Sequence, residues 1–321
     1  MLLVMGGAGY IGSHTVKHLL DNDYDCVVAD NLIYGHVEAI DKRAKFIKAD
    51  LTNKSSIKSI FKNNKIDAVI HFAAFAYVGE SVKEPQKYYI NNVVGTINLL
   101  EVMKEFDVNK IVFSSTCATY GEPQYTPIDE KHIQNPINPY GKSKLMIEQI
   151  FEDYNKAYGL KYIALRYFNA AGASSDCLIG ESHNPETHLI PLVLQAIKNG
   201  TPVKVFGTDY DTHDGTCIRD YIHVEDLAKA HRLAVENLDK YSGYINLGTG
   251  IGTSVKEIIN AAEKVSGRKC KIEYAERRAG DPAKLFADNK KAKEVLDWQP
   301  KYIDIEYILK TAWNWENNRS Y

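Results

Sequence analysis

A glycine-rich turn between a short apolar strand and a helix constrains the fold of this 321-residue chain more than any other feature. Leu2–Met5 is an apolar run typical of a buried strand, and it leads into Gly7-x-Gly9-x-x-Gly12, after which an amphipathic helix is predicted to about Leu20. Glycines let the backbone turn tightly and approach a pyrophosphate, which the free N–H groups of the helix N-terminus can bind. The turn therefore predicts a dinucleotide-binding βαβ unit.

The second predicted strand ends in an acid at the place where such a unit has one. Residues 26–29 are apolar, and Asp30 follows about 20 residues after the glycine turn. A carboxylate there accepts hydrogen bonds from both ribose hydroxyls and repels a 2′-phosphate, so NAD is favoured over NADP. The alternative is a glycine-rich turn with an unrelated aspartate, but strand, turn, helix, strand and acid all stand in the expected order.

Strands and helices continue to alternate as far as a predicted strand at residues 162–165. This alternation predicts an α/β fold with a Rossmann-type doubly wound parallel sheet, whose ligands lie at the carboxyl ends of its strands. The alternation loosens after about Arg166, which indicates a smaller mixed α/β substrate-binding domain. We therefore predict an NAD-binding domain at residues 1–168 and a substrate-binding domain at residues 169–321. The two are expected to interleave, with residues 244–247 a candidate strand of the first domain.

Composition excludes several classes of function. The net charge is −2 and no part of the chain reads as a basic stripe, so nucleic-acid binding is not expected. The chain shows neither a signal peptide nor an apolar run long enough to span a bilayer, so we expect no membrane partner. The five cysteines are scattered without a CxxC pair, which fits thiols in a reducing cytoplasm.

A tyrosine and a lysine with helical spacing offer a candidate catalytic pair. In Asn138-Pro-Tyr140-Gly-Lys-Ser-Lys144, the two side chains fall on one face of a helix that begins near the proline. A free tyrosine has a pKa near ~10, and a fixed ammonium together with a positive cofactor could bring it near ~7. Such a phenol can exchange a proton with a substrate hydroxyl. Taken alone, the pattern favours an ordinary surface helix, and the rest of the chain reverses that preference.

Further motifs occur in order along the chain and carry a resemblance to a known family. They are Gly6-Gly-Ala-Gly-Tyr-Ile-Gly-Ser-His14, Ser114-Ser-Thr116 before Tyr120-Gly121, Tyr140-Gly-Lys-Ser-Lys144, Arg166-Tyr-Phe-Asn169, Asp214-Gly-Thr-Cys-Ile-Arg-Asp-Tyr-Ile-His-Val224 and Arg277-Arg-Ala-Gly-Asp281. With them the chain resembles, over essentially its whole length, the UDP-glucose 4-epimerase family of the extended short-chain dehydrogenase/reductase superfamily. The resemblance implies an isomerase that 4-epimerises UDP-hexoses with a resident NAD.

The resemblance also implies roles for three catalytic residues. Tyr140 removes the proton of the sugar 4-hydroxyl while a hydride passes from C4 to NAD. Lys144 lowers the pKa of that tyrosine and bonds the nicotinamide ribose, and Thr116 holds the 4-oxygen. The 4-keto sugar then turns over in the pocket and the hydride returns to its opposite face, so that NAD is regenerated in each cycle.

The binding residues implied by the resemblance come from the glycine loop, from the strand ends and from the C-terminal half. The cofactor-binding residues, together with Lys144, are Gly6, Gly9, Tyr10, Ile11, Gly12, Asp30, Asn31, Leu32, Gly35, Asp50, Leu51, Phe72, Ala73, Ala74, Asn91 and Phe168. The substrate-binding residues, together with Thr116 and Tyr140, are Asn169, His188, Phe206, Arg219, Arg278, Asp281 and Leu285. Arg278 is expected on the diphosphate and Asp281 on the uridine ribose.

Two substrate-side positions depart from the family pattern. His188 stands where asparagine is frequent, and either side chain can bond a phosphate. Leu285 stands where a large aromatic narrows the sugar pocket and a small residue admits N-acetylated sugars. Leucine is intermediate, so UDP-N-acetylhexosamines are hypothesised as further substrates. His183, His188 and His213 lie near acids, but their spacing matches no ligand motif and the chemistry needs no metal, so no metal site is predicted.

Several competing functions share this scaffold. A nucleotide-sugar 4,6-dehydratase needs an Asp-Glu pair after the catalytic threonine, and this chain has Cys117 and Ala118 there. A UDP-uronate or UDP-pentose 4-epimerase stays open as an alternative. A non-catalytic NAD sensor on the same fold is the third alternative, since fold alone does not specify function.

Helices near Pro85 and Pro139 are, by the same resemblance, a homodimer surface. The first is predicted to run from Pro85 to about Glu105 and the second to about Tyr158. From the sequence alone, their apolar stripes could equally pack inside one subunit.

Overall fold

The computed structural model describes residues 1–278 and 280–321, so Ala279, the middle residue of the Arg277–Asp281 motif, lies outside the described residues. Thirteen strands and eleven α-helices lie in these ranges. The strands are β1 Leu2–Met5, β2 Cys26–Asp30, β3 Lys45–Lys48, β4 Ala68–His71, β5 Lys110–Thr116, β6 Lys161–Tyr167, β7 Asn169–Ala171, β8 Pro202–Phe206, β9 Ile218–His223, β10 Gly243–Leu247, β11 Gly252–Ser254, β12 Lys271–Ala275 and β13 Lys284–Leu285. The helices are α1 Tyr10–Leu20, α2 Lys54–Asn63, α3 Val78–Lys83, α4 Pro85–Tyr88, α5 Gly95–Glu105, α6 Pro139–Tyr158, α7 Leu189–Asn199, α8 Val224–Asn237, α9 Val255–Ser266, α10 Lys290–Leu296 and α11 Ile305–Asn318.

Seven of the strands in the described ranges form one sheet, in the order β10-β6-β5-β4-β1-β2-β3. Each neighbouring pair is parallel. The central strands are apolar and buried, as a parallel sheet covered by helices on both faces requires. Side chains of α2, α5 and α6 fill the core on one face, and side chains of α1, α8 and α10 fill it on the other. The predicted Rossmann-type, doubly wound α/β fold is therefore confirmed.

The last strand of this sheet comes from the second half of the chain. Strand β10 pairs with β6 so that Tyr244 lies beside Ala164 and Leu247 beside Tyr167. The cofactor-side sheet is thus completed by residues that follow residue 168. The domain boundaries themselves stay a prediction.

The rest of the C-terminal half forms a smaller mixed layer. Strands β11, β9 and β13 form one sheet, with β7 paired to β9, and β8 pairs with β12. Val193 of α7, Ile258 of α9 and Leu309 of α11 belong to one buried cluster that covers these strands. In the part of the chain that the structure describes, none of the helices has the length and apolar character of a bilayer span.

The helix predicted from Pro85 to Glu105 is interrupted by a π-helical segment, Tyr89–Val94, between α4 and α5. The wider turn places the Asn92 side chain in the core, where it accepts from the Phe75 N–H at 2.9 Å and donates to the Phe75 carbonyl at 3.0 Å. The spacing of apolar residues does not predict such a π-helical segment, because the sequence on either side of it keeps a helical pattern.

A buried ion pair joins α6 to the sheet beneath it. Arg166 on β6 donates from Nε and Nη2 to the two carboxylate oxygens of Glu148 at 2.9 and 2.6 Å, and both side chains are 1% exposed. Ser115 on β5 donates to the same carboxylate at 2.6 Å. Arg166 also donates to the Tyr120 hydroxyl at 3.0 Å, and that hydroxyl donates to Asn246 on β10 at 2.7 Å. One network therefore ties α6 to three neighbouring strands.

Replacing the arginine of this pair should destabilise the fold severely. Arg166→Met leaves the Glu148 carboxylate buried without its cation, which costs about 3–5 kcal/mol in the free energy of unfolding. The control Lys264→Met breaks an ion pair with Glu306 whose side chains are 70% and 41% exposed, and it should cost less than about 1 kcal/mol. Urea unfolding of both variants measures the difference, and equal losses would contradict this account.

Candidate active site

The glycine loop packs so closely on its neighbours that side chains are excluded at two positions. Gly6 has φ +80°, and a Cβ there would lie 2.5 Å from the backbone nitrogen of Ala73. A Cβ on Gly12 would lie 2.3 Å from the Gly6 carbonyl oxygen. Gly9 caps α1 without a side chain, and the first turn of α1 carries no acid. The first turn of α1 therefore carries no carboxylate of its own to compete for its free N–H groups, and this suits a pyrophosphate.

Asp30 lies directly against the glycine loop. Its carboxylate accepts from the N–H groups of Ala8 at 3.0 Å and Leu32 at 2.8 Å. Burial raises the pKa of Asp30, and these two hydrogen bonds act against that shift. A Cβ on Gly35 would lie 3.0 Å from one carboxylate oxygen. Asp30, Leu32 and Gly35, all predicted cofactor residues, are thus brought together at the end of β2, as a ribose site requires.

The predicted adenine-side residues lie beside the Asp30 group. Asn31 donates to the carboxylate of Asp50 at 3.0 Å. Burial would raise the pKa of Asp50, but hydrogen bonds from Thr52 and Asn31 lower it on balance. Leu51 is buried, and a Cβ on Gly95 would lie 2.7 Å from its side chain. The strand ends therefore form one groove across the carboxyl edge of the sheet.

Phe72, Ala73 and Ala74 follow β4 and border the glycine loop, because the Ala73 backbone lies against Gly6. Asn91 lies in the π-helical segment and donates to the Asn92 side chain at 2.9 Å. These residues fit NAD because the glycines and backbone N–H groups suit its pyrophosphate, and the buried acid suits its ribose.

Two predicted cofactor residues in the first turn of α1 direct their side chains elsewhere. The Tyr10 hydroxyl donates to the Gly172 carbonyl at 2.6 Å, and the Ile11 side chain packs into the core beneath the sheet. Their expected contact with a pyrophosphate is therefore limited to the backbone N–H groups at the helix start.

Helix α6 begins at the spot where Tyr140 can meet Thr116. Asn138 caps the helix by accepting from the Gly141 N–H at 2.8 Å. A Cβ on Gly141 would lie 2.5 Å from the Ala118 carbonyl oxygen, so only a glycine lets the helix approach the end of β5 this closely. Tyr140 is buried, and Thr116 is near enough to act on the pKa of its phenol.

Burial controls the titration of both members of the tyrosine–lysine pair. It raises the pKa of Tyr140 well above its usual value, with a smaller contribution from Tyr167 and an opposing hydrogen bond to Thr116. It lowers the pKa of Lys144 to about 7, against the attraction of Glu148. The Lys144 ammonium donates to the Ser114 carbonyl at 2.7 Å and lies 6.0 Å from the centre of the Tyr140 ring. The expectation that this lysine lowers the phenol pKa therefore needs the further positive charge assigned to the cofactor.

Four of the predicted substrate residues come together beyond the sheet edge. Arg219 donates to the Pro282 carbonyl at 2.8 Å and lies 3.6 Å from a carboxylate oxygen of Asp281. Arg278 donates to the other oxygen of Asp281 at 2.9 Å and stacks 4.8 Å above the Phe206 ring. Two guanidinium groups, an acid and an aromatic ring therefore share one surface, which suits a nucleoside diphosphate.

Phe168 and Leu285 lie together between this surface and α6. They belong to one small apolar cluster with Tyr120 and Cys117. Asn169 follows Phe168 and donates to the Asp220 carbonyl at 3.0 Å. Burial raises the pKa of the Cys117 thiol to about 12, so it is not a ready nucleophile. Since Cys117 follows Thr116 in the chain, this apolar cluster lies next to the end of β5.

His188 lies in a different setting from the other substrate residues. Its Nδ1 lies 2.5 Å from a carboxylate oxygen of Glu181 and 3.5 Å from one of Glu186. Burial alone would lower the pKa of His188, but the two carboxylates raise it to about 10. His183 joins the same group, whereas His213 lies elsewhere beside Glu257. Spacing along the sequence did not reveal that two of the three histidines meet at a pair of acids.

Sequence reasoning missed Asn92 as a positioning residue. It bonds both backbone groups of Phe75 and donates to the Ser143 hydroxyl at 3.1 Å. The Ser143 hydroxyl in turn donates to the Tyr140 carbonyl at 2.7 Å. The cofactor groove and the start of α6 are therefore joined through one buried amide. The adjacent asparagines in an apolar helix were the available signal.

Comparisons with known proteins agree with this arrangement. A family model described as the NAD dependent epimerase/dehydratase family matches residues 2–248. A UDP-glucose 4-epimerase from Lacticaseibacillus casei is 52% identical over 320 residues, which cover 99% of this chain and 97% of the relative. The crystal structure of UDP-glucose 4-epimerase from Brucella ovis in complex with NAD has a TM-score of 0.94 at 49% identity, covering 98% of this chain and 97% of that chain. A UDP-Glc/GlcNAc 4-epimerase structure from Campylobacter jejuni has a TM-score of 0.87 at 46% identity, covering 99% of each.

Proposed function

This chain belongs to the NAD dependent epimerase/dehydratase family, and we propose that it is an NAD-dependent isomerase that interconverts UDP-glucose and UDP-galactose at C4. The observation that carries the proposal is the buried pairing of Tyr140 and Lys144 beside Thr116 at the end of β5. A protein that only senses a dinucleotide has no use for such a base. Cys117 and Ala118 cannot serve as the acid and base of a dehydratase.

The proposed proton chemistry belongs to Tyr140, Thr116 and Lys144. NAD, when bound, supplies the acceptor for the C4 hydride and returns it to the sugar. Tyr140 takes the proton of the sugar 4-hydroxyl and later gives it back, while Thr116 holds the 4-oxygen. Lys144 supplies positive charge that favours the phenolate, and its fixed bond to Ser114 keeps it in place.

The substrate is proposed to be held tightly at UDP and loosely at the sugar. Arg219 and Arg278 can bond diphosphate oxygens with fixed geometry, and Asp281 is assigned to the uridine ribose. The apolar cluster around Phe168 offers the sugar few hydrogen-bonding partners. Firm anchoring at a distance then lets the 4-keto sugar turn over without leaving the site.

Residues 1–168, completed by β10, are proposed to bind the cofactor, and residues 169–321 the UDP-sugar. All five cysteines are free thiols, which supports a further proposal that the protein works in the reducing cytoplasm.

Removing the Tyr140 hydroxyl should abolish epimerisation and spare cofactor binding. Tyr140→Phe is expected to reduce kcat by at least ~100-fold, because general acid–base catalysis contributes about that much or more. NAD content, read from the absorbance of the denatured protein, should be unchanged. Tyr125→Phe, which removes an exposed hydroxyl bonded to Asp129, is the matched control. Turnover of Tyr140→Phe at the control rate would refute the assignment.

The size of residue 285 should set the tolerance for N-acetylated sugars. We propose that Leu285, packed beside Phe168 and Cys117, leaves room for them; the similarity to the structure of a UDP-Glc/GlcNAc 4-epimerase supports this. Leu285→Tyr should lower turnover of UDP-N-acetylglucosamine roughly tenfold or more relative to UDP-glucose. Chromatography of products from both sugars, and from a UDP-pentose, measures the range. Leu178→Tyr, at a side chain that is 63% exposed, is the control, and a wild-type enzyme inert toward N-acetyl sugars would end the hypothesis.

A homodimer through the π-helical segment and α6 is proposed from their exposed apolar side chains. Ile90, Val94 and Met146 are 45%, 47% and 42% exposed, and the first two share a helical face. Val94→Glu should shift the protein from dimer to monomer, because a charge would be buried in the interface. Size-exclusion chromatography with light scattering checks this, with Ile303→Glu as a control at a 53% exposed residue of another surface. A monomeric wild type would exclude the dimer.

A further inference from the structure

Two glutamates and two histidines meet in an irregular loop just before α7. The four side chains of this cluster each offer one ligand atom, and these atoms lie within 4.8 Å of one another. His183 Nδ1 lies 3.2 Å from a carboxylate oxygen of Glu181 and 3.7 Å from one of Glu186. His188 Nδ1 lies 2.5 and 3.5 Å from oxygens of the same two carboxylates. Only His188 has a part in the proposed function.

Two buried atoms of this cluster lack hydrogen-bond partners among the described residues. They are Oε2 of Glu186 and Nδ1 of His183. The Glu186 side chain is 6% exposed, and its other oxygen accepts from the Thr187 and His188 N–H groups. Leaving a buried carboxylate oxygen without a donor is costly, so such an atom calls for a partner. The two atoms lie 3.7 Å from each other, and His183 Nδ1 also lies 3.2 Å from the Glu181 carboxylate.

We propose that this cluster binds one divalent transition-metal ion, such as Zn²⁺, through Glu181, His183, Glu186 and His188. Imidazole nitrogen and carboxylate oxygen are zinc ligands, whereas Mg²⁺ and Ca²⁺ take oxygen ligands alone. Tetrahedral bonds of about 2.1 Å place ligand atoms about 3.4 Å apart. For the Glu181 Oε1 and Glu186 Oε2 ligand atoms, the distances to His183 Nδ1, 3.2 and 3.7 Å, lie near that value. His188 Nδ1, 2.5 Å from the same Glu181 oxygen, has to move about 1 Å away from it to complete the site.

The surroundings give such an ion a structural role. The Glu181 carbonyl accepts from Trp315 Nε1 of α11 at 2.9 Å. The His183 ring packs edge-on against Tyr10 of α1, with ring centres 6.4 Å apart. The ion would therefore fix a loop that bridges the glycine-loop helix and the last helix. Since His188 is the N-cap residue of α7, the ion would also hold in place a residue that the proposed function puts near the substrate.

A metal titration of the intact, NAD-loaded protein tests the site. After chelator treatment, Co²⁺ should bind with a stoichiometry of one and show the visible absorption of a low-coordinate ion. Zn²⁺ should displace it and raise the melting temperature, and Mg²⁺ should do neither. His183→Asn and Glu186→Gln should each weaken Co²⁺ binding by at least about 100-fold, since even outer partners of a metal site contribute 10–100-fold. His213→Asn, at an exposed histidine beside Glu257, should bind as the wild type does.

The proposal is overturned if the wild type takes up no Co²⁺, which would leave the cluster as ion pairs only. It is also overturned if His183→Asn and Glu186→Gln bind as tightly as His213→Asn. Far-ultraviolet circular dichroism establishes whether each variant is folded. If His183→Asn does not fold, the test rests on Glu186→Gln, whose side chain keeps the shape of the glutamate. Epimerisation is measured separately by chromatography, so failure of metal binding and failure of the proposed function are distinguishable.

Discussion

The buried ion pair between Glu148 and Arg166 fixes the helix that carries Tyr140 and Lys144, the proposed catalytic pair. Both charged groups lie out of reach of water, so each is stable only while the other, with Ser115, supplies its hydrogen bonds. This requirement leaves α6 one position over β5 and β6. Tyr140 and Lys144, on the same helix, inherit that position, and their burial shifts both pKa values against the charged form. The fixed position of α6 and the shifted pKa values of Tyr140 and Lys144 therefore both follow from burial of this helix against the sheet.

Close backbone contacts set the dimensions of the groove that this helix borders. The glycine loop lies on the segment after β4 through Gly6, and the start of α6 lies on the segment after β5 through Gly141. A methyl group would push the ends of β1 and β4 apart at Gly6, and it would push α6 away from the end of β5 at Gly141. Asn92 then links the two contacts, since it bonds the Phe75 backbone on one side and Ser143 on the other. These few short contacts therefore fix the position of the glycine loop relative to the start of α6.

Local patterns in the sequence predicted the parts of this site that depend on local structure. Asp30 was predicted to lie at the glycine turn from the order of strand, turn, helix and acid. Helical spacing likewise placed Tyr140 and Lys144 on one face of α6. Properties that arise from distant packing were not accessible in this way. The pKa of Lys144 follows from its burial, and the π-helical turn at Asn92 keeps the apolar rhythm of a helix. The meeting of His183 and His188 with two acids depends on an irregular loop, for which spacing along the chain is no guide.

Strand β10 has a consequence for how this protein can be made and divided. Because the seventh strand of the parallel sheet is encoded long after the sixth, the edge of β6 stays unpaired on a nascent chain until Leu247 has emerged from the ribosome. A bare edge of an apolar sheet readily pairs with other chains. A fragment that ends before Gly243 would therefore keep this edge of β6 unpaired, and the seven-stranded sheet is complete only in a chain that includes β10.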